Sequence, residues 1–320
     1  MPNSKERDRR GRRFAAEDTI APPDEAVSAP PAYRISRPRE LASGVVFSSP
    51  HSGRYYPPDF VAASRLEARA LRASEDAFVD DLFSDVVDFG APLIAAVAPR
   101  AYIDLNRAPG DLDPVLIDGA SARPANARVA AGLGVIPRIV AEGVPIYHGR
   151  LSLEEARQRL SRWHAPYHRG LVEQILQARR RFDRVLLIDC HSMPSGASAG
   201  GGRFAQASAN APEIVLGDRF GASADPDLVD DVERAFASAG FRVARNAPFA
   251  GGYITERYGR PSAGVSALQI EIDRGLYLDQ SRVSPGEGFA ELKRALRPVI
   301  ERICDLITAA SSYPKALAAE

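Results

Sequence analysis

Two histidines in this sequence occupy the same kind of position. His51 follows the run Val45-Val46-Phe47-Ser48-Ser49 within Pro50-His51-Ser52-Gly53, and His191 follows Val185-Leu186-Leu187-Ile188 within Asp189-Cys190-His191-Ser192. In α/β sheets ligands bind in the crevice beyond the carboxyl ends of the strands, so imidazoles at two strand ends can meet there. Neutral imidazole suits zinc, and Asp189 beside His191 offers a carboxylate to fix its tautomer. The competing reading makes each a loop histidine with an ordinary hydrogen bond. His164 and His168 stand four apart on one predicted helix face, but no glutamate follows His164 as H-E-x-x-H requires. They are expected to be a core or supporting pair.

A third ligand would have to be acidic. Glu75 and Asp76 lie where a helix is expected to begin, and Asp80 stands one turn beyond Asp76. Capping and the helix dipole explain acids at such a place equally well. Glu271 interrupts the apolar run Val265 to Ile272. A carboxylate buried there calls for a partner, a metal or a catalytic task, and an ion pair with Arg274 is the rival to catalysis. Asp104-Leu105-Asn106-Arg107 closes another expected strand that opens near Arg100. The planar fork of Arg107 matches a carboxylate, with Arg100 as a second cation. Gly196-Ala197-Ser198-Ala199-Gly200 fits the serine-hydrolase pattern G-x-S-x-G, which needs a strand turning sharply into an apolar helix. Here the strand ends at Asp189 and Gly201-Gly202 follow, so the match is read as a coincidence of a Gly/Ser-rich loop.

Something must hold these groups in place. Val45–Phe47, Leu93–Val97, Ala101–Leu105, Val185–Ile188, Ile214–Leu216, Val243–Ala244 and Val265–Ile272 read as strands, several apolar on both faces. Helices are predicted from Glu75 to Asp88, stopping at Gly90, and from Ser152 towards Arg181, opened by a Ser152/Glu155 capping box and bent near Pro166. Asp227 to Ala239 and Phe289 to Ala309 are two more. Strands alternating with helices imply an α/β architecture around a mixed, largely parallel sheet.

The 320 residues carry 41 Lys+Arg and 41 Asp+Glu, without the basic surplus of a nucleic-acid binder. Cys190 and Cys304 are too few for a disulfide framework, in keeping with a reducing cytoplasm. With no apolar stretch of about 18 residues and no signal-peptide pattern, the expectation is a cytoplasmic protein without a membrane anchor. Residues 1–40, charged and proline-rich, are expected to be a disordered tail, and residues 313–320 a short C-terminal one.

Read in order, Pro50-His51-Ser52-Gly53, Ser74-Glu75-Asp76-Ala77-Phe78-Val79-Asp80, Asp104-Leu105-Asn106-Arg107, Pro166-Tyr167-His168, Asp189-Cys190-His191-Ser192, Gly251-Gly252-Tyr253-Ile254-Thr255 and Gln269-Ile270-Glu271 resemble the N-formylglutamate amidohydrolase (deformylase) family. The resemblance spans about residues 44 to 280. It implies a single three-layer α/β/α catalytic domain, 41–312, similar to zinc carboxypeptidases and aspartoacylase. It also implies one zinc ion per chain, held by His51, Asp76 and His191, with Glu75 as the alternative carboxylate. Glu271 then inherits the general-base role and Arg100 faces the oxyanion. Asn106 and Arg107 hold a substrate carboxylate, and Tyr253 and Arg257 close over the substrate or reach its second carboxylate. The implied substrate is a small acidic N-acylamino acid, foremost N-formyl-L-glutamate, cleaved to L-glutamate and formate. A related hydrolase of another N-acylamino acid or small peptide, or a binding protein without turnover, fits the same residues. The chain departs from the family pattern at Glu256 and Arg257, where Thr-Arg-His-Tyr-Gly is common, and at Ser266, often histidine. Both departures are expected near the substrate.

Overall fold

The computed structural model describes residues 30–121, 126–140, 143–195, 197 and 211–308. Seven strands form one sheet: β1 (Tyr33–Ser36), β2 (Val45–Ser49), β3 (Leu93–Ala96), β4 (Val185–Met193), β5 (Ile214–Gly217), β6 (Val243–Arg245) and β7 (Val265–Asp273). Their order across the sheet is β1-β3-β2-β4-β7-β5-β6. β3, β2, β4 and β7 run parallel, as do β5 and β6, while β1 on β3 and β5 on β7 are antiparallel. This is the expected mixed, largely parallel sheet. All nine residues of β4 and all five of β2 are buried, the signature of central strands covered on both faces.

The helix Ala165–Arg179 packs on β1 to β4. Pro226–Ser238 lies on β5 and β6 and against the long helix Phe289–Asp305. Half of the predicted capping box is present: Ser152 Oγ accepts the Glu155 N–H at 3.0 Å, while the Glu155 carboxylate turns to Arg159 instead of back to Ser152. The expected bend is a wide π-type turn, Leu160–His164, directly before Pro166. Proline has no N–H for the carbonyl of residue 162, so the helix must rearrange there.

Three expectations change. The helix from Glu75 is delayed: Phe78 adopts a left-handed conformation (φ 62°), a helix covers Val79–Leu82, and a tighter turn runs Ser84–Phe89 before Gly90. Glu75 and Asp76 therefore precede the helix, and Asp80 does not share a helical face with Asp76; it pairs with Arg54 at 2.6 Å. Ala101–Leu105 is buried but is not a strand. Tyr102 and Ile103 return their N–H groups to the Pro99 carbonyl, and Asp104 N–H reaches the Val135 carbonyl at 2.8 Å, so turns satisfy a backbone that a sheet was expected to satisfy. The presumed tail also ends early, because Tyr33–Ser36 pairs as β1 with β3. Residues 1–29, the C-terminal tail 313–320 and Ser198 of the G-x-S-x-G stretch lie outside the described residues.

Candidate metal centre

Parallel pairing aligns the carboxyl ends of β2, β4 and β7 on one edge. In the register of β4 and β7, Asp189 lies opposite Gln269 and His191 opposite Glu271. Side chains two apart on a strand share a face, so these four make a compact polar patch on an otherwise apolar sheet. Within it, Asp189 Oδ2 lies 2.9 Å from His191 Nε2 and Gln269 Nε2 donates to Glu271 Oε1 at 2.8 Å. His51, in the turn after β2, comes over the same edge. Gly53 permits that turn, since a Cβ there would sit 2.0 Å from the Ala98 carbonyl oxygen.

The three residues expected as ligands converge. His191 Nδ1 is 3.1 Å from His51 Nδ1, and Asp76 Oδ2 is 2.9 Å from the first and 3.2 Å from the second. Tetrahedral zinc with bonds of about 2.0–2.1 Å places its ligand atoms roughly 3.3 Å apart, close to all three separations. The far nitrogens are anchored: His51 Nε2 donates to Asp104 Oδ1 at 2.7 Å, and His191 Nε2 faces Asp189. An ionised carboxylate only accepts, so these contacts put the hydrogens on Nε2 and turn the Nδ1 lone pairs towards each other and towards Asp76. Three inward-facing lone pairs need positive charge between them, supplied by a cation or by protons. The donor set thus fits a divalent ion of the zinc type.

The surrounding charges agree. Burial opposes ionisation of Asp76, but when protons rather than a cation occupy the Nδ1 positions, hydrogen bonds from His191 and His51, the charge of His51 and that of Arg274 outweigh it and hold its pKa well below the usual range. Arg274 donates to Asp76 Oδ1 at 2.8 Å, leaving Oδ2 to face the histidines. Burial likewise opposes charge on Asp104, yet Arg100, His51 and Arg107 hold its pKa well down. His191 moves the other way: burial lowers its pKa, but Asp189 and Asp76 raise it well above normal. Protons therefore compete with metal for this centre. Glu75, the alternative ligand, is turned away, taking the Tyr56 hydroxyl and the Arg72 guanidinium at 3.1 Å.

The centre lines one wall of a cavity of about 410 Å³ that also takes in Arg100, Asn106, Arg107 and Glu271. Burial, countered by His191 and reinforced by Asp76, raises the Glu271 carboxyl to about 7. Arg274, the rival partner for Glu271, is committed to Asp76 and to Ser192 Oγ. Arg100 donates to Asp104 at 3.0 Å. The Asn106 side chain is engaged within the protein, donating to Asp189 at 3.1 Å and accepting the Ile254 N–H at 2.7 Å. A Cβ on Gly252 would meet that amide at 2.4 Å, which explains a glycine there. Tyr253 and Arg257 do not join the site. The helix Tyr253–Tyr258 turns them into a separate groove beside His164 and His168, so only Gly251 and Gly252 of this segment line the metal cavity. Sequence reasoning passed over Asp104, Arg274 and Arg128 as site residues; the motif around Asp104 and the position of Arg274 next to Asp273 were the available signals.

Residues 43–278 match the family model described as N-formylglutamate amidohydrolase. The chain belongs to this family. It is 32% identical over 269 residues to an N-formylglutamate deformylase of Pseudomonas aeruginosa, covering 83% of this chain and 92% of the relative. A Pseudomonas putida N-formylglutamate deformylase is 31% identical over 240 residues, covering 74% and 82%. The crystal structure of N-formylglutamate amidohydrolase from Ralstonia eutropha JMP134 superposes with a TM-score of 0.78 at 36% identity, covering 86% of this chain and 97% of that one. These relatives make the chain an amidohydrolase with the three-layer α/β/α fold. The departures from the family pattern lie away from the cavity. Glu256 pairs with Arg219 at 3.2 Å, Arg257 lies in the separate groove, and Ser266 accepts the Asp225 N–H at 3.0 Å near the start of β7, five residues before Glu271.

Proposed function

We propose that the protein hydrolyses the amide of N-formyl-L-glutamate, giving formate and L-glutamate, with a zinc ion held by His51, His191 and Asp76. The observation that carries this reading is the convergence of three lone-pair donors beside a buried glutamate and several arginines, in a chain of this family. Among the described residues no helix is long and apolar enough to cross a membrane. The catalytic domain then takes in β1 and starts before Tyr33 rather than at residue 41.

A zinc ion in such a centre supplies Lewis acidity, polarising a carbonyl oxygen and acidifying water. The rest falls to the protein. Glu271, held by Gln269, accepts a proton from the attacking water as its oxygen adds to the formyl carbon. It then passes that proton to the nitrogen as the C–N bond breaks. A carboxyl near 7 is well placed to do both at neutral pH. Arg100 presents positive charge to the developing oxyanion. Arg107 holds a substrate carboxylate and so fixes the amide over Glu271.

The test is release of free amino acid, the product common to all three, from zinc-loaded protein given N-formylglutamate, N-acetylaspartate and C-terminal dipeptides, with Glu271→Gln run in parallel. The expected result is turnover of N-formylglutamate, and a variant that retains zinc while its kcat falls about 10²–10⁴-fold. Faster turnover of another member of the panel would move the substrate assignment. Zinc binding without hydrolysis would point to a binding protein.

A further inference from the structure

Four arginines line the metal cavity: Arg100, Arg107, Arg128 and Arg274. Two already face carboxylates at hydrogen-bond distance, Arg100 with Asp104 at 3.0 Å and Arg274 with Asp76 at 2.8 Å. Arg107 is buried. Its Nε donates to the Leu133 carbonyl at 3.0 Å and its Nη1 to the Asn106 carbonyl at 3.2 Å, while the nearest carboxylate, Asp104, is 3.9 Å away. Its Nη2 meets no acceptor among the described residues. Arg128 likewise has no carboxylate partner for its guanidinium among them.

These two cations feel one another. Burial lowers the Arg107 pKa, and the charges of Arg100 and Arg128 push the same way against the pull of Asp104. Two like charges bordering a cavity are relieved by an anion placed between them. Arg128 is exposed, but its backbone is fixed. Asn126 Oδ1 accepts the N–H groups of Arg128 and Val129, both at 3.0 Å, and Asn126 Nδ2 donates to Asp111 at 3.0 Å. Val129, fully buried, pins the same turn. The cavity wall that accompanies the two guanidinia includes Leu133, Ile139 and Val140, a strip suited to methylenes rather than to charge.

We infer that Arg128 is a specificity-determining residue that receives the side-chain carboxylate of the substrate, while Arg107 receives the carboxylate next to the scissile amide. The inference rests on the reading above and adds to it a reason for a dicarboxylate. Two carboxylates joined by a short methylene spacer satisfy two guanidinia that no carboxylate holds at hydrogen-bond distance, with the apolar strip of the same cavity for the methylenes. A neutral side chain leaves Arg128 unpaired.

The test uses zinc-loaded wild-type protein and Arg128→Gln, a change at an exposed side chain that leaves the turn and its cap intact. Two readouts are taken: calorimetric binding of L-glutamate against L-glutamine, and kcat/KM for N-formylglutamate against N-formylglutamine. The wild type is expected to favour the glutamate form in both, and Arg128→Gln to reduce that preference by roughly tenfold or more, the value of a charge-assisted hydrogen bond, mainly through Kd and KM. An unreduced preference in the variant overturns the assignment. A wild type that binds glutamate through Arg128 but releases no formate keeps the subsite and removes the proposed reaction.

Discussion

The molecule contains two pairs of touching imidazoles that differ in what their nitrogens do. The rings of His51 and His191 are 4.7 Å apart and those of His164 and His168 are 4.3 Å apart, and all four residues are buried. In the first pair the outer nitrogens meet Asp104 and Asp189, leaving both Nδ1 atoms turned inward with Asp76 between them. In the second pair each Nε2 donates to a backbone carbonyl, His164 to Arg107 and His168 to Leu105, both at 2.9 Å. His168 Nδ1 accepts from the Tyr258 hydroxyl at 2.8 Å. One pair gathers lone pairs around a point, while the other spends its hydrogens bracing the irregular segment that carries Arg107. Proximity of histidines is thus a poor sign of a metal centre; the partner of the second nitrogen is the better one.

The sharpest way to break this contrast is to remove one ring from each pair. His191→Ala should abolish stoichiometric zinc binding and, with it, turnover, whereas His164→Ala should keep zinc at one ion per chain and lose activity only in part. Metal analysis after dialysis reads the difference. Zinc retained by His191→Ala would take that residue out of the ligand set.

A smaller effect separates the pairs by proton affinity. Burial, with the neighbouring His164, lowers the His168 pKa from 6.5 to about 3. The unfolded chain therefore takes up a proton between these values that the native state refuses, and native stability falls as pH drops from about 6.5 towards 3. His168→Gln, which can still donate to the Leu105 carbonyl, should flatten that part of a Tm-against-pH curve. A slope identical to the wild type would assign the acid sensitivity to other groups.

The same contrast shows what could be read from the sequence. His51 and His191 were legible because each follows an apolar run, and parallel pairing brings the ends of such runs together. The choice between Glu75 and Asp76 was not, since adjacent acids share every local signal; Tyr56 and Arg72 decide it by drawing Glu75 away. Ala101–Leu105 has the composition of a strand, but its backbone is satisfied by turns and by His168, a partner more than sixty residues away. β1 was missed because four residues after a proline-rich stretch carry little pattern, and their pairing with β3 is wholly tertiary. Tyr253 and Arg257 were placed by motif, yet the direction of a short helix sent their side chains elsewhere.

The most direct measurement is anomalous scattering at the zinc absorption edge from crystals of the zinc-loaded protein. The account predicts one peak per chain, bonded by Nδ1 of His51 and Nδ1 of His191 at about 2.0–2.1 Å and by a carboxylate oxygen of Asp76. A peak coordinated by Glu75, or one at His164 and His168, would contradict it.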